Sequence, residues 1–121
     1  MAKWANDSVM DAALDVVATG TILTVCSTQP TTRTEAVTTY KLADVVIDGS
    51  DFSKANGDVS GRKLTVASQS SVTVDSTGTA THVAICDGSN LLYVTTCTSQ
   101  VLTSGNTVTI PAWDIEIEDP S

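Results

Sequence analysis

Few side chains in this 121-residue sequence combine a reactive type with a spacing that chemistry could use. The single histidine, His82, sits inside Ala80-Thr81-His82-Val83-Ala84, a pattern that reads as mid-strand. To act as a general base it would need a nucleophile and an orienting carboxylate brought in from elsewhere. A half-buried imidazole hydrogen-bonded across a sheet is the simpler expectation. The spacings GxSxG, HExxH, GxGxxG and the P-loop are missing, so no catalytic residue is expected. Cys26, Cys86 and Cys97 lie within or beside apolar runs, as small buried hydrophobes do. There is no CxxC pair, and one histidine cannot complete a common zinc set. Asp48, Asp51 and Asp58 around Gly49 and Gly57 offer oxygen ligands without the spacing of a calcium loop, which favours a solvated acidic loop. No metal or other cofactor is expected. Asn6-Asp7-Ser8 fits a glycosylation acceptor by letter, but no secretory leader is seen, so it is read as a helix cap.

The elements that would position these residues are mostly strands. Asp7 to Val17 reads as a helix with Asn6 as N-cap, its apolar stripe made of Val9, Met10, Ala13, Leu14 and Val17 and its other face of Asp7, Asp11 and Asp15. Like charges four residues apart repel, and a helix this short is marginal alone, so it must dock on its own sheet or on a neighbouring subunit. After Gly20 the pattern turns to β, with twenty Thr and fifteen Val suited to pleated strands. Eight strands are predicted: Ile22 to Cys26, Tyr40 to Val46, Arg62 to Ala67, Ser71 to Val74, Thr79 to Cys86, Leu91 to Thr98, Thr107 to Pro111 and Trp113 to Glu118. The Asp87-Gly88-Ser89-Asn90 turn is the clearest hairpin signal. It sets Cys86 beside the bend and Cys97 roughly 17–20 Å away along the partner strand, beyond disulfide reach. A bridge from Cys26 to either stays open. Ser27 to Val37 and Asp48 to Asp58 read as exposed loops where contact surface would concentrate. The fold class expected is mainly β: a single β-sandwich or jelly-roll-like domain over residues 21–121, preceded by an N-terminal arm and short helix over residues 1–20.

Bulk charge narrows the partners. A formal charge of −8 repels phosphate backbones and anionic membranes, so neither nucleic acid nor membrane is an expected partner. No run of about eighteen apolar residues could span a bilayer. An acidic excess favours solubility at high copy number and docking on a basic protein surface. Strict alternation in Trp113-Asp114-Ile115-Glu116-Ile117-Glu118 puts three apolar residues on one face and Asp114, Glu116 and Glu118 on the other, either a docking edge or an edge protected by charge. Trp4, ahead of the helix, is read either as an anchor in a partner's pocket or as a staple on its own core. With Met10 and Leu14 of a helix donated to a neighbour, these make up the candidate interface: Trp4, Met10, Leu14, Asp114, Glu116 and Glu118. Only five aromatic residues are present, which argues against a carbohydrate-binding or single-strand-binding module.

Several stretches resemble one family. Trp4-Ala5-Asn6-Asp7 with the short helix, Val25-Cys26-Ser27-Thr28-Gln29-Pro30-Thr31-Thr32, Thr34-Glu35-Ala36 and Ser60-Gly61-Arg62 are similar to small virion proteins of tailed phages and prophages. So are Gly78-Thr79-Ala80-Thr81-His82-Val83-Ala84, Leu91-Leu92-Tyr93-Val94-Thr95-Thr96 and Pro111-Ala112-Trp113-Asp114-Ile115. The resemblance implies a non-enzymatic capsid decoration, or cement, protein: made in the host cytoplasm, carried on the outer capsid surface of the virion, and clamping the major capsid protein as a homodimer or homotrimer. It carries over no catalytic residue. A tail or head-to-tail component is the first alternative, and a host-receptor or carbohydrate-binding module the second. Truncating residues 1–17 is expected to weaken particle binding more than folding.

Overall fold

The computed structural model describes residues 4–118. Among these residues, nine antiparallel strands and one α-helix make a mainly β fold, as the sequence predicts. The helix, α1, spans Asp7–Val17, and Asn6 caps it by accepting the Ser8 backbone N–H at 2.8 Å. The strands are β1 (Ile22–Cys26), β2 (Lys41–Val46), β3 (Phe52–Asn56), β4 (Arg62–Val66), β5 (Gln69–Thr73), β6 (Gly78–Cys86), β7 (Leu91–Leu102), β8 (Thr107–Ile110) and β9 (Trp113–Ile117).

They form sheets in the orders β2-β1-β6-β7, β3-β4-β9 and β5-β8. A single bridge from Ala43 to Val74 links β2 to the residue after β5. This order does not spell out the two four-stranded sheets of a jelly roll. All three sheets feed one core, with Leu23, Val83 and Ile85 from the first, Leu64, Val66 and Ile115 from the second, and Val72 and Ile110 from the third. Leu14 of α1 joins them at 1% exposure. Burying such a side chain is worth about 1.5–3 kcal/mol.

Two segments expected as exposed loops are largely exposed but hold more regular structure than expected. Ser27 to Val37 runs into a π-helical turn, Glu35–Thr39, that lies over the outer face of the four-stranded sheet. Pro30 and Ala36 are fully buried there, and Ala36 packs with Cys26, Ala84 and Cys86 in a second apolar cluster. Arg33 Nε donates to the Asp87 carbonyl at 2.8 Å and ties this cover to the β6–β7 turn. The segment is therefore a lid on its own sheet, and β1 can be apolar on both faces because both are covered.

Asp48 to Asp58 folds as one 3₁₀ turn, Gly49–Asp51, followed by β3. Asp48 accepts from the Ser50 N–H while Asp51 accepts from the Asp48 N–H, a reciprocal cap. β3 escapes a periodicity search because Phe52-Ser53-Lys54-Ala55-Asn56 holds one large apolar residue and lies at a sheet edge. Gly61 closes the β3–β4 turn at φ +71°, and a Cβ there would meet the Ile117 carbonyl oxygen at 1.9 Å. Only glycine fits that approach of β9 to the turn.

Candidate binding surfaces

The helix is apolar round more than half its circumference, and its rotation decides which part the fold uses. Residues about 100° apart place Met10, Leu14 and Val17 on one side, Asp7, Asp11 and Asp15 on the next, and Val9, Ala12, Ala13 and Val16 on the third. Asp11 Oδ1 accepts from Arg62 Nε at 2.8 Å and Asp15 Oδ1 from Lys54 Nζ at 2.6 Å. These two ion pairs turn the acidic side onto the cations of β3 and β4 and roll Met10 and Leu14 into the core. Asp11 also raises the Arg62 pKa.

The predicted stripe is therefore half right. Ala13 is exposed, and Val9 stands 63% and Val16 57% exposed. Met10 and Leu14, proposed as interface residues, are buried at 4% and 1% and are spent inside this chain. The reason is the pair of cations Lys54 on β3 and Arg62 on β4, which the sequence does not place opposite the helix. Trp4 is 78% exposed, so it staples nothing. Val9, Ala12, Ala13 and Val16 form the exposed apolar side of α1, and Trp4 is exposed ahead of it.

The carboxylates of β9 are largely used at home. Asp114 Oδ1 accepts from Thr65 Oγ1 at 2.7 Å, and its Oδ2 lies 3.6 Å from Lys63 Nζ. Glu116 Oε1 accepts from the Asp58 backbone N–H. Lys63 also pairs with Asp58 at 2.7 Å, the main reason its pKa is raised. Glu118 is exposed at the end of the strand. Lys41 sits between Asp44 and Asp75; partial burial lowers its pKa, and those two carboxylates outweigh that and leave it raised. Each lysine and arginine among the described residues thus makes an internal ion pair or hydrogen bond, so the uncompensated charge at the surface is negative.

The second open region lies between β7 and the β8–β9 strip. A groove of about 250 Å³ runs there, with Cys97, Thr98 and Gln100 on one lip and Val108, Ile110 and Pro111 on the other. A second hollow of about 210 Å³ adjoins it, sharing Cys97, Ile110 and Pro111 and lined by Trp113, whose ring stacks on Tyr93 with centroids 5.9 Å apart. The Trp113 Nε1–H is buried with no acceptor among the described residues. Between Asp87 and Asp114 no side chain is charged, although Thr96, Thr98 to Val101, Thr103 to Thr107 and Thr109 are all exposed. Reading charge along the chain would have found this stretch; hydrophobic periodicity does not.

Of the groups singled out for chemistry, Cys26 and His82 are cross-strand partners on β1 and β6, and each bonds elsewhere: Cys26 Sγ lies 3.6 Å from the Ala36 carbonyl oxygen. His82 is half-buried and its Nδ1 bonds the hydroxyl of adjacent Thr81 at 2.8 Å, where a bond across the sheet was expected. All three cysteines are free thiols, so Cys26 is bridged to neither of the others. Burial pushes the pKa of each thiol up, which keeps them protonated and poorly nucleophilic. Asp48 and Asp51 are occupied by the cap described above and Asp58 by Lys63. No three His, Cys, Asp or Glu side chains among the described residues are grouped to hold a metal ion. No helix among them is long and apolar enough to cross a membrane. Compared with protein-family models, curated proteins and solved structures, the chain matches none.

Proposed function

We propose that this chain is a structural protein of a tailed-phage particle, a head decoration or cement protein that binds the major capsid protein lattice from outside. The observation that carries a binding role is the exposure of large apolar groups in the N-terminal region: Trp4 at 78%, Val9 at 63% and Val16 at 57% on a chain of net charge −8. Val9 and Val16 share the exposed side of α1 and Trp4 is exposed three residues ahead of it; exposed large apolar groups mark contact sites, and tryptophan is prominent among interface hot spots. The rotation of α1 is fixed by two ion pairs, so the face is presented ready-made and loses little freedom on docking. The assignment to a capsid rests on the family resemblance, and the acidic surface suits a basic or neutral lattice partner.

The test is to mix the purified chain with expanded empty heads of the particle whose genome carries it. Stoichiometric binding and raised heat tolerance are expected. The triple variant Trp4→Ala, Val9→Ser, Val16→Ser should fold normally and bind at least tenfold more weakly, on the order expected for losing an aromatic anchor. Failure of the native chain to sediment with heads overturns the reading. Only a few copies in each purified particle would move the protein to the tail or the head-to-tail joint.

A further inference from the structure

We infer that the outer edge of β7 is a self-association surface, on which a second copy of this chain pairs its own β7 antiparallel across a two-fold axis. The assignment is independent of the capsid reading.

Three observations carry it. Among the described residues β7 pairs on one side only, with β6, and ends the four-stranded sheet. Its twelve residues include no Lys, Asp, Glu, Arg or Pro, the residues by which solvent-facing edges are usually blunted. The surrounding surface is also uncharged from Gly88 to Trp113 while remaining largely exposed. Its neutrality is therefore not a consequence of burial. Two copies of a chain of net charge −8 repel one another over most approaches, and like charges brought face to face are costly. The β7 side is where they can meet without that penalty. By contrast β2, β3 and β9, which also end their sheets, carry charged side chains: Lys41 and Asp44, Lys54, and Asp114 and Glu116.

The geometry fixes the partner arrangement. A strand edge is self-complementary when antiparallel, which is what a closed two-fold contact requires. A two-fold axis normal to the sheet keeps each face of the strand on its own side, so the residue on the axis lies opposite its own copy. The bulge between Thr96 and Gln100, where β6 offers only Thr81 opposite three residues of β7, interrupts the edge. The pairing run is therefore Leu91–Thr96, with Tyr93 or Val94 at the axis. The joined sheet would have eight strands, and the product is a dimer, since this contact closes on itself after two copies.

Sedimentation equilibrium of the full chain should give twice the 12.5 kDa chain mass at working concentrations. Replacing the exposed Thr96 and Thr98 together by glutamate should weaken association about tenfold or more through added like charge, while Val46→Glu on the opposite sheet edge should leave it unchanged. With Cys97→Ser as background, single cysteines at Tyr93, Val94 and Thr95 should cross-link under mild oxidation at one position and fail at its immediate neighbours, because disulfide formation needs Cα atoms within about 7 Å. A chain that stays monomeric at its highest soluble concentration overturns the proposal. So does a trimer, a dimer that yields to Val9→Ser and Val16→Ser instead, or a dimer in which none of the three cysteines cross-links. A monomer whose glutamate pair instead abolishes binding to heads would assign the edge to the lattice and likewise overturn it.

Discussion

The seam between α1 and β4 and the open flank of β7 are built from opposite materials. At the seam, carboxylates from one element meet cations from another, and the residues between them are buried; Arg62 and Asp11 retain about a fifth of their side-chain exposure. Along β7 there is no charge, a row of threonines, an unpaired strand edge and a groove. In a chain this short of cations, each ion pair marks a surface closed within the molecule. The surfaces without them are the ones left for contact.

Substitutions across α1 sharpen this contrast most. Leu14→Ala should cost about 3 kcal/mol in equilibrium unfolding, since it leaves a cavity where three sheets and the helix meet. Val16→Ala, two positions away on the exposed side, should stay within about 0.5 kcal/mol. Equal losses at the two sites would mean that the helix is rotated differently. Truncating residues 1–17 removes Leu14, so it should unfold the chain or lower its stability by at least as much as Leu14→Ala. That outcome, read by thermal melting, would reverse the expectation that truncation weakens particle binding more than folding.

Breaking the seam itself comes next. Arg62→Met should lower the urea midpoint more than Lys54→Met, because the Asp11–Arg62 pair is less exposed than Asp15–Lys54, whose carboxylate side chain is 57% exposed. High salt should erase the smaller effect first. An Arg62→Met variant as stable as the native chain would show that apolar packing alone sets the helix rotation.

Acid gives the smallest and most gradual effect. The pKa of Glu35 is lowered chiefly by the Thr31 backbone N–H, that of Asp48 by the Ser50 hydroxyl, and that of Asp87 by the Ser89 and Asn90 backbone N–H groups. A carboxyl whose folded pKa lies below its unfolded value stabilises the fold in full above the unfolded value, near 4. That contribution fades as pH falls through the lowered folded value. Denaturant midpoints should hold level from neutrality down to about pH 5 and then decline. The decline should shrink in Asp87→Asn, whose side chain cannot ionise. A midpoint that improves on acidification would contradict the sign of all three.

Much of this arrangement is legible from residue order, and the rest is not for physical reasons. α1 follows from Asn6 and its 3.6-residue period, and the β6–β7 hairpin from Asp87-Gly88-Ser89-Asn90, because local hydrogen bonds and turn geometry decide both. The inward side of α1 does not follow, because an apolar arc this wide offers two faces and a distant pair, Asp11 with Arg62, chooses between them. β3 and the lid over Cys26 and Cys86 are hidden for the same reason: Phe52-Ser53-Lys54-Ala55-Asn56 becomes a strand only when β4 is beside it, and Ala36 is buried only because a sheet lies beneath it. Of the proposed interface residues, Trp4 and Glu118 are exposed, whereas Asp114 and Glu116 bond within the chain.

The pairing of β4 with β9 also dictates an order of events as the chain organises. The β6–β7 turn joins strands a few residues apart, and loop closure on that scale is fast. Leu64 and Ile115 meet only after the intervening segment of about fifty residues has been drawn together, at a larger entropic cost. The hairpin is therefore suited to seeding the structure, and the β9 strand to sealing it last. Until that seal forms, Ile115 and Ile117 are apolar surface in search of a partner, and the acidic residues that alternate with them keep the unfinished chain from sticking to its neighbours.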